Sequence, residues 1–178
     1  MITGATHSRE LLSMQVPLYM CLKLIHQGLI NKRERYVNML RETKFYFIPV
    51  VNVDGAALVE EHGNEEGKIL NKRKNMNPEN IGTCGEEDSG VDINRNFGVD
   101  WAHGNEKNHS QLCSDFWPGQ EAFSEPESRA LRDFVGQHRS EIKFIINCHT
   151  SGNEFIWPYN GREYNDLEKR NPGYTAIF

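Results

Sequence analysis

The chain has 178 residues, 38% of them hydrophobic and 25% charged, with a formal net charge of −5. That length fits one domain able to bury a sizeable core, and the acidic balance lacks the basic footprint of a nucleic-acid partner. No stretch approaches the ~18 apolar residues of a membrane span, which argues against a membrane partner, and no charged segment followed by an apolar stretch marks a signal peptide at the start.

The chain opens MITGATHSRE: a short apolar run, Ile2 to Ala5, then His7, Arg9 and Glu10 within four positions. Three readings compete for this cluster. It is a helix N-terminus decorated by chance, a catalytic acid/base pair, or two members of a metal site. From Arg9 to Gly28, Leu12, Val16, Met20 and Leu24, with Leu11, Leu18, Leu22 and Ile25, recur at helical spacing, so a wide apolar face is expected. Pro17 should kink that helix or mark a second start. A further helix is expected from Lys32 to about Arg41, with the basic run Lys32 to Arg35 read as a solvated face.

KFYFIPVVNVDG, Lys44 to Gly55, is an apolar and β-branched run ending in Asp-Gly, and reads as a strand buried on both faces. From Gly63 to Gly119 the sequence is polar, glycine-dotted and weakly periodic, which suggests functional loops. SEPESRALRDFVGQH then places Ser124 three residues before Glu127, the pattern of a capped amphipathic helix. IKFIINCH follows as a second buried strand, and NEFIWPY as a strand paired nearby. The alternation of strands and helices predicts an α/β fold: a mixed, largely parallel sheet flanked by helices.

In open α/β sheets, ligands collect at the carboxyl ends of strands. His7 and His149 both fall there, whereas His26, His62, His103, His109 and His138 fall on helices or polar loops and read as solvated. A catalytic zinc takes three nitrogen or carboxylate ligands and keeps an open position; His7, Glu10 and His149 would supply such a set. The plainer alternative for His149 is the cap of a buried strand. GVDINRNF, Gly90 to Phe97, alternates Asp92, Asn94 and Arg95, so these side chains are expected on one face of an extended segment. An arginine fork beside an amide suits bidentate capture of a carboxylate, and Asp92 suits orientation of a metal-bound imidazole. A polar surface loop is the competing reading. Of the four cysteines, Cys21 and Cys148 read as buried thiols, while Cys84 and Cys113 lie in polar segments and could pair. Pairing would place the protein in an oxidising compartment.

THSRE, IPVVNVDG, KRKN, GVDINRNF, FSEPE and CHTSG occur in an order that resembles the zinc metallocarboxypeptidases of the M14 family, carboxypeptidase A/B type, over nearly the whole chain. The resemblance implies removal of C-terminal residues from peptides or proteins with one zinc ion. It makes His7, Glu10 and His149 the ligands, and Arg73 the arginine that stabilises the oxyanion. Asn94 and Arg95 become the grip on the substrate's terminal carboxylate, Arg9 a contact further upstream on the peptide, and Asp92 the partner of His7. Cys84 and Cys113 become a disulfide pair. It further implies an extracellular or lumenal setting and a monomer in the full-length form.

Two departures from the family pattern stand out. The family's general-base glutamate has no match among Glu154, Glu163 and Glu168, so no base is assigned. The chain also begins within the strand that precedes the first ligand, so a partial catalytic domain, short at both ends and of marginal stability alone, is expected. Two other functions stay open beside the peptidase: an inactive zinc- or peptide-binding module lacking the base, and a zinc acyl-amino-acid deacylase of the same fold.

Overall fold

The computed structural model describes residues 1–62, 70–99, 101 and 108–156. Its centre is β1 (Ile2–Thr3), the middle strand of a three-stranded sheet in the order β2–β1–β3. On one side Ile2 pairs with Phe47 and Thr3 with Ile48 of β2 (Phe47–Ile48); on the other they pair with Ile146 and Asn147 of β3 (Ile146–Asn147), parallel in both cases. Backbone bonds continue past the strand ends: Val51 N donates to Gly4 O and Asn52 N to Ala5 O, both at 3.0 Å, and Cys148 N donates to Thr3 O at 2.9 Å. These bonds bring residues 5–10 and 148–150 to the same carboxyl edge of the sheet, where the candidate ligands lie. The fold is α/β, with helices flanking a parallel sheet.

Helix α1 (Leu11–Ile25) ends in a π-helical turn, His26–Ile30, and is followed by α2 (Glu34–Glu42). Pro17 does not divide α1. It leaves the carbonyl of Ser13 without its helical donor, and the backbone of β1 runs against that carbonyl. A Cβ on Gly4 would lie 2.3 Å from Ser13 O and 2.9 Å from Pro49 O, so only glycine allows the approach. The Ser13 hydroxyl completes the joint, accepting from Ala5 N at 2.9 Å and donating to Glu10 O at 2.6 Å. The buried line of α1 is therefore Ser13, Pro17 and Leu24, and most of the expected apolar face is exposed, including Leu12, Leu18 and Leu22.

The expected long strand over Lys44–Gly55 shrinks to Phe47–Ile48, half-buried, because Val53–His62 forms helix α3. Pro49 has no N–H for the ladder. Asn52 then turns the chain into the helix, its Oδ1 accepting from Gly55 N at 3.1 Å while its Nδ2 donates to Lys74 O at 3.1 Å. The polar stretch after residue 69 is more ordered than expected: a 3₁₀ turn at Pro78–Asn80, helix α4 (Ile81–Asp88) with a break at Gly85, and a 3₁₀ turn at Ile93–Arg95.

Helix α5 (Pro126–Gln137) starts one residue later than the Ser124 cap predicts. Pro126 occupies the first turn, and the Ser124 hydroxyl is engaged by Asn96 Nδ2 and Glu125 instead of capping. Asn96 takes over from a distance: its Oδ1 accepts from Glu125 N at 3.2 Å and from the Ser128 hydroxyl at 2.6 Å. β3 is two residues long and exposed rather than buried. Residues 153–156 form no strand, and Trp157–Tyr159 of the expected last strand lie outside the described residues. Cys21 and Cys148 are half-buried thiols, less covered than expected, and Cys84 is bonded to Cys113.

A candidate metal centre

The turn from β1 into α1 buries His7 and Glu10 while the end of β3 delivers His149, 29% of whose side chain is exposed. Glu10 lies between the two rings. Its Oε1 is 2.7 Å from His7 Nδ1 and its Oε2 is 3.0 Å from His149 Nδ1, with Thr150 N donating to Oε2 at 3.1 Å. The two Nδ1 atoms are 3.2 Å apart. Ligands held by zinc at about 2.0–2.1 Å in a tetrahedron sit about 3.3 Å from one another, and the two Nδ1 atoms match one edge of such a site. Among the described residues these three form a cluster of possible metal ligands, with donor atoms all within 4.8 Å.

The electrostatics also suit a cation. Burial alone would push the His7 pKa down, but hydrogen bonds to Asp92 and Glu10 outweigh it and raise it. For Glu10, burial would raise the pKa, and the bonds from His149 and His7 overcome that and hold the carboxyl far below its usual range. Asp92 is fully buried, and its Oδ1 lies 3.1 Å from His7 Nε2. With one ring nitrogen fixed by a carboxylate, the other is presented to the centre, the usual outer support of a metal-bound histidine.

Arg73 enters from the segment Lys72–Asn75, which is buried throughout. Its Nε and Nη2 both donate to Asp92 Oδ2 at 3.0 Å, and its Nη1 is 3.9 Å from Glu10 Oε1. Asp92 therefore serves two partners, a histidine through one oxygen and a guanidinium through the other. Burial disfavours its charge, but His7, Arg73 and Arg95 together lower its pKa. Gly90 makes the packing possible. At φ 89°, its Cα lies where a Cβ would be 2.0 Å from Asn75 O. Asn75 then ties the two segments together, with Asn75 N donating to Val91 O at 3.0 Å and Val91 N to Asn75 Oδ1 at 2.8 Å.

Asp92, Asn94 and Arg95 do not share an extended face. Asp92 Oδ1 accepts from Asn94 N at 2.9 Å and starts the 3₁₀ turn that carries the other two. Asn94 lines a cleft of about 1050 Å³ together with His149, Leu12, Val16 and the stretch 150–156. Arg95 and Arg73 both lie over the ring of Phe116, with centroid distances of 5.4 and 5.0 Å. Arg9 turns away from the centre, donating to Asp115 Oδ2 at 3.0 Å and Asn71 Oδ1 at 2.8 Å. Asp115 and Phe116 carry no signal in the sequence beyond standing between Cys113 and Trp117. Lys72 and Lys74, on either side of Arg73, are both buried.

The chain as a whole has relatives. Residues 1–174 match the zinc carboxypeptidase family, peptidase M14. The chain is 29% identical to carboxypeptidase B2 of Bos taurus over 86% of its own length and 33% of the relative's. It is 28% identical to the inactive metallocarboxypeptidase ECM14 of Saccharomyces cerevisiae, over 89% of this chain and 34% of that protein. Among solved structures, thrombin-activatable fibrinolysis inhibitor superposes with a TM-score of 0.71 at 28% identity, covering 94% of this chain and 39% of its own. The chain thus spans about a third of the relatives it matches. A family match over nearly every residue makes this chain a member of the M14 zinc carboxypeptidases.

Proposed function

We propose that the protein is a zinc-dependent carboxypeptidase that hydrolyses the last peptide bond of peptides or proteins. The observation that carries this reading is the convergence of His7 Nδ1, Glu10 and His149 Nδ1 beside the Arg73–Asp92 pair. His7, Glu10 and His149 would hold one zinc ion, which when bound supplies a Lewis acid and a water of lowered pKa. Arg73, fixed by two hydrogen bonds to Asp92, offers a guanidinium already oriented before substrate arrives, as stabilisation of a developing oxyanion requires. Asn94 and Arg95 would receive the terminal carboxylate, so a chain end is selected and an internal bond is not. Arg9, paired with Asp115, would meet the peptide upstream. The Cys84–Cys113 disulfide supports an extracellular or lumenal setting, and the whole protein would act as a monomer on a peptide C-terminus.

A second reading is supported by the relative named as inactive. In that reading the protein binds zinc and a peptide end without cleaving. Zinc-loaded protein offered one peptide as its free acid and as its C-terminal amide separates the cases. Cleavage of the acid alone is the expected result. Binding of the acid without cleavage supports the inactive module, and cleavage of an N-acyl amino acid in preference to the peptide supports a deacylase. Equal treatment of acid and amide sinks the carboxylate grip.

A further inference from the structure

Phe116 has no role in the reading above, yet two of the three arginines of that reading lie over its ring. Arg73 lies 5.0 Å and Arg95 5.4 Å from its ring centroid, and the side chain is 42% exposed. A residue this open contributes little to a core, so core packing does not account for its position.

Its position is instead fixed by its neighbours. Cys113 is bonded to Cys84, Asp115 pairs with Arg9 at 3.0 Å, and Trp117 is buried with its carbonyl accepting from Asp92 N at 2.9 Å. Lys74 Nζ reaches Leu112 O at 3.3 Å. The strap 112–117 is thus tied to α4 by the disulfide and at three further points to the segments that carry Arg9, Arg73 and Asp92, and Phe116 sits between two of those three.

We propose that Phe116 is a positioning residue: its ring holds the Arg73 and Arg95 guanidiniums as a pair. The inference rests on the carboxypeptidase reading. Two guanidinium groups near one another repel. An aromatic ring attracts both through its negative face and replaces water beside them, which strengthens their hold on an anion. Arg73 is also fixed by Asp92, and Arg95 follows Asn94 in the turn that Asp92 starts, so loss of the ring bears on capture of a terminal carboxylate.

The test uses the intact protein, first freed of zinc, with binding of one peptide as free acid and as amide measured by calorimetry. Phe116→Leu keeps an apolar side chain and removes the ring; Phe116→Tyr keeps the ring. The expected result is acid binding weakened on the order of tenfold in F116L, unchanged amide binding, and near-parental values in F116Y. In zinc-loaded protein the same loss should appear in KM, with kcat less affected. A thermal melt reads folding separately, and Phe116→Met provides the same comparison if F116L does not fold. Parental acid binding in F116L, or an equal loss in F116Y, overturns the proposal while leaving the carboxypeptidase reading intact. A parent protein that binds acid and amide alike overturns both.

Discussion

Asp92 is the residue on which the site turns. One carboxylate fixes the His7 ring, anchors Arg73 through two hydrogen bonds and starts the turn carrying Asn94 and Arg95. It is fully buried, so removing its charge leaves the Arg73 guanidinium without its main counter-charge in a site only 10% exposed. Uncompensated buried charges of this kind cost about 3–5 kcal/mol, and loss of a carboxylate behind a metal-bound histidine weakens metal binding about 10–100-fold. Asp92→Asn, which keeps the shape, is therefore expected to lower zinc affinity by one to two orders of magnitude, measured by competition with a chromophoric chelator. It should also lower the melting temperature of the metal-free protein. Unchanged zinc affinity would show that His7 needs no such support.

At the scale of elements, the two buried lysines beside Arg73 act as ties to different parts of the chain. Lys74 reaches the 112–117 strap. Lys72 Nζ donates to Glu86 O at 2.6 Å and to Ser89 O at 2.8 Å, closing the carbonyl end of α4. Burial, reinforced by the nearby charge of Lys74, pulls the Lys72 pKa down from 10.5 to about 8. Between those values the unfolded chain binds the proton and the folded chain does not, so this group makes stability rise with pH across that window. Lys72→Met removes the titration and orphans the two carbonyls. It is expected to destabilise the protein by about 1–3 kcal/mol at pH 7. The deficit should widen between pH 8 and 10.5 by at most about 3 kcal/mol. Urea melts of both proteins across that range check the sign; a deficit that narrows would refute it.

These ties mark the limit of what the sequence discloses. His7 and Glu10 were legible because they stand three positions apart at the end of a strand, and His149 because it ends an apolar run. The dual role of Asp92 and the burial of Lys72 and Lys74 depend on contacts between segments 14 to 85 residues apart, and no local periodicity encodes them. Elements failed where a single side chain overrode propensity: Asn52 ended the long strand, and Asn96 displaced Ser124 from its expected cap.

For the whole molecule, the apolar pattern and the observed burial disagree in a consistent direction. The periodicity of α1 calls for a covered face, yet Leu12, Tyr19 and Leu22 are each at least 60% exposed, as is Phe144 beside β3. β3 itself is exposed and pairs only with β1 among the described strands. Apolar surface and an unpaired strand edge of this kind drive association between chains. The site is the opposite: Val91, Ile93, Trp117 and a dense set of buried polar groups, cross-linked by the disulfide, form its floor. The 178-residue chain by itself should therefore keep the surroundings of Asp92 protected while α1 and β3 mediate self-association. Sedimentation at increasing concentration is expected to show growing oligomers, and hydrogen exchange should be slow at 91–96 and fast along the outer face of α1. Substituting Leu12 and Leu22 with glutamate should raise solubility without slowing or speeding exchange at 91–96. A monomer at every concentration that melts cooperatively above about 50 °C would contradict this, because it would require the exposed face of α1 to be stable in water.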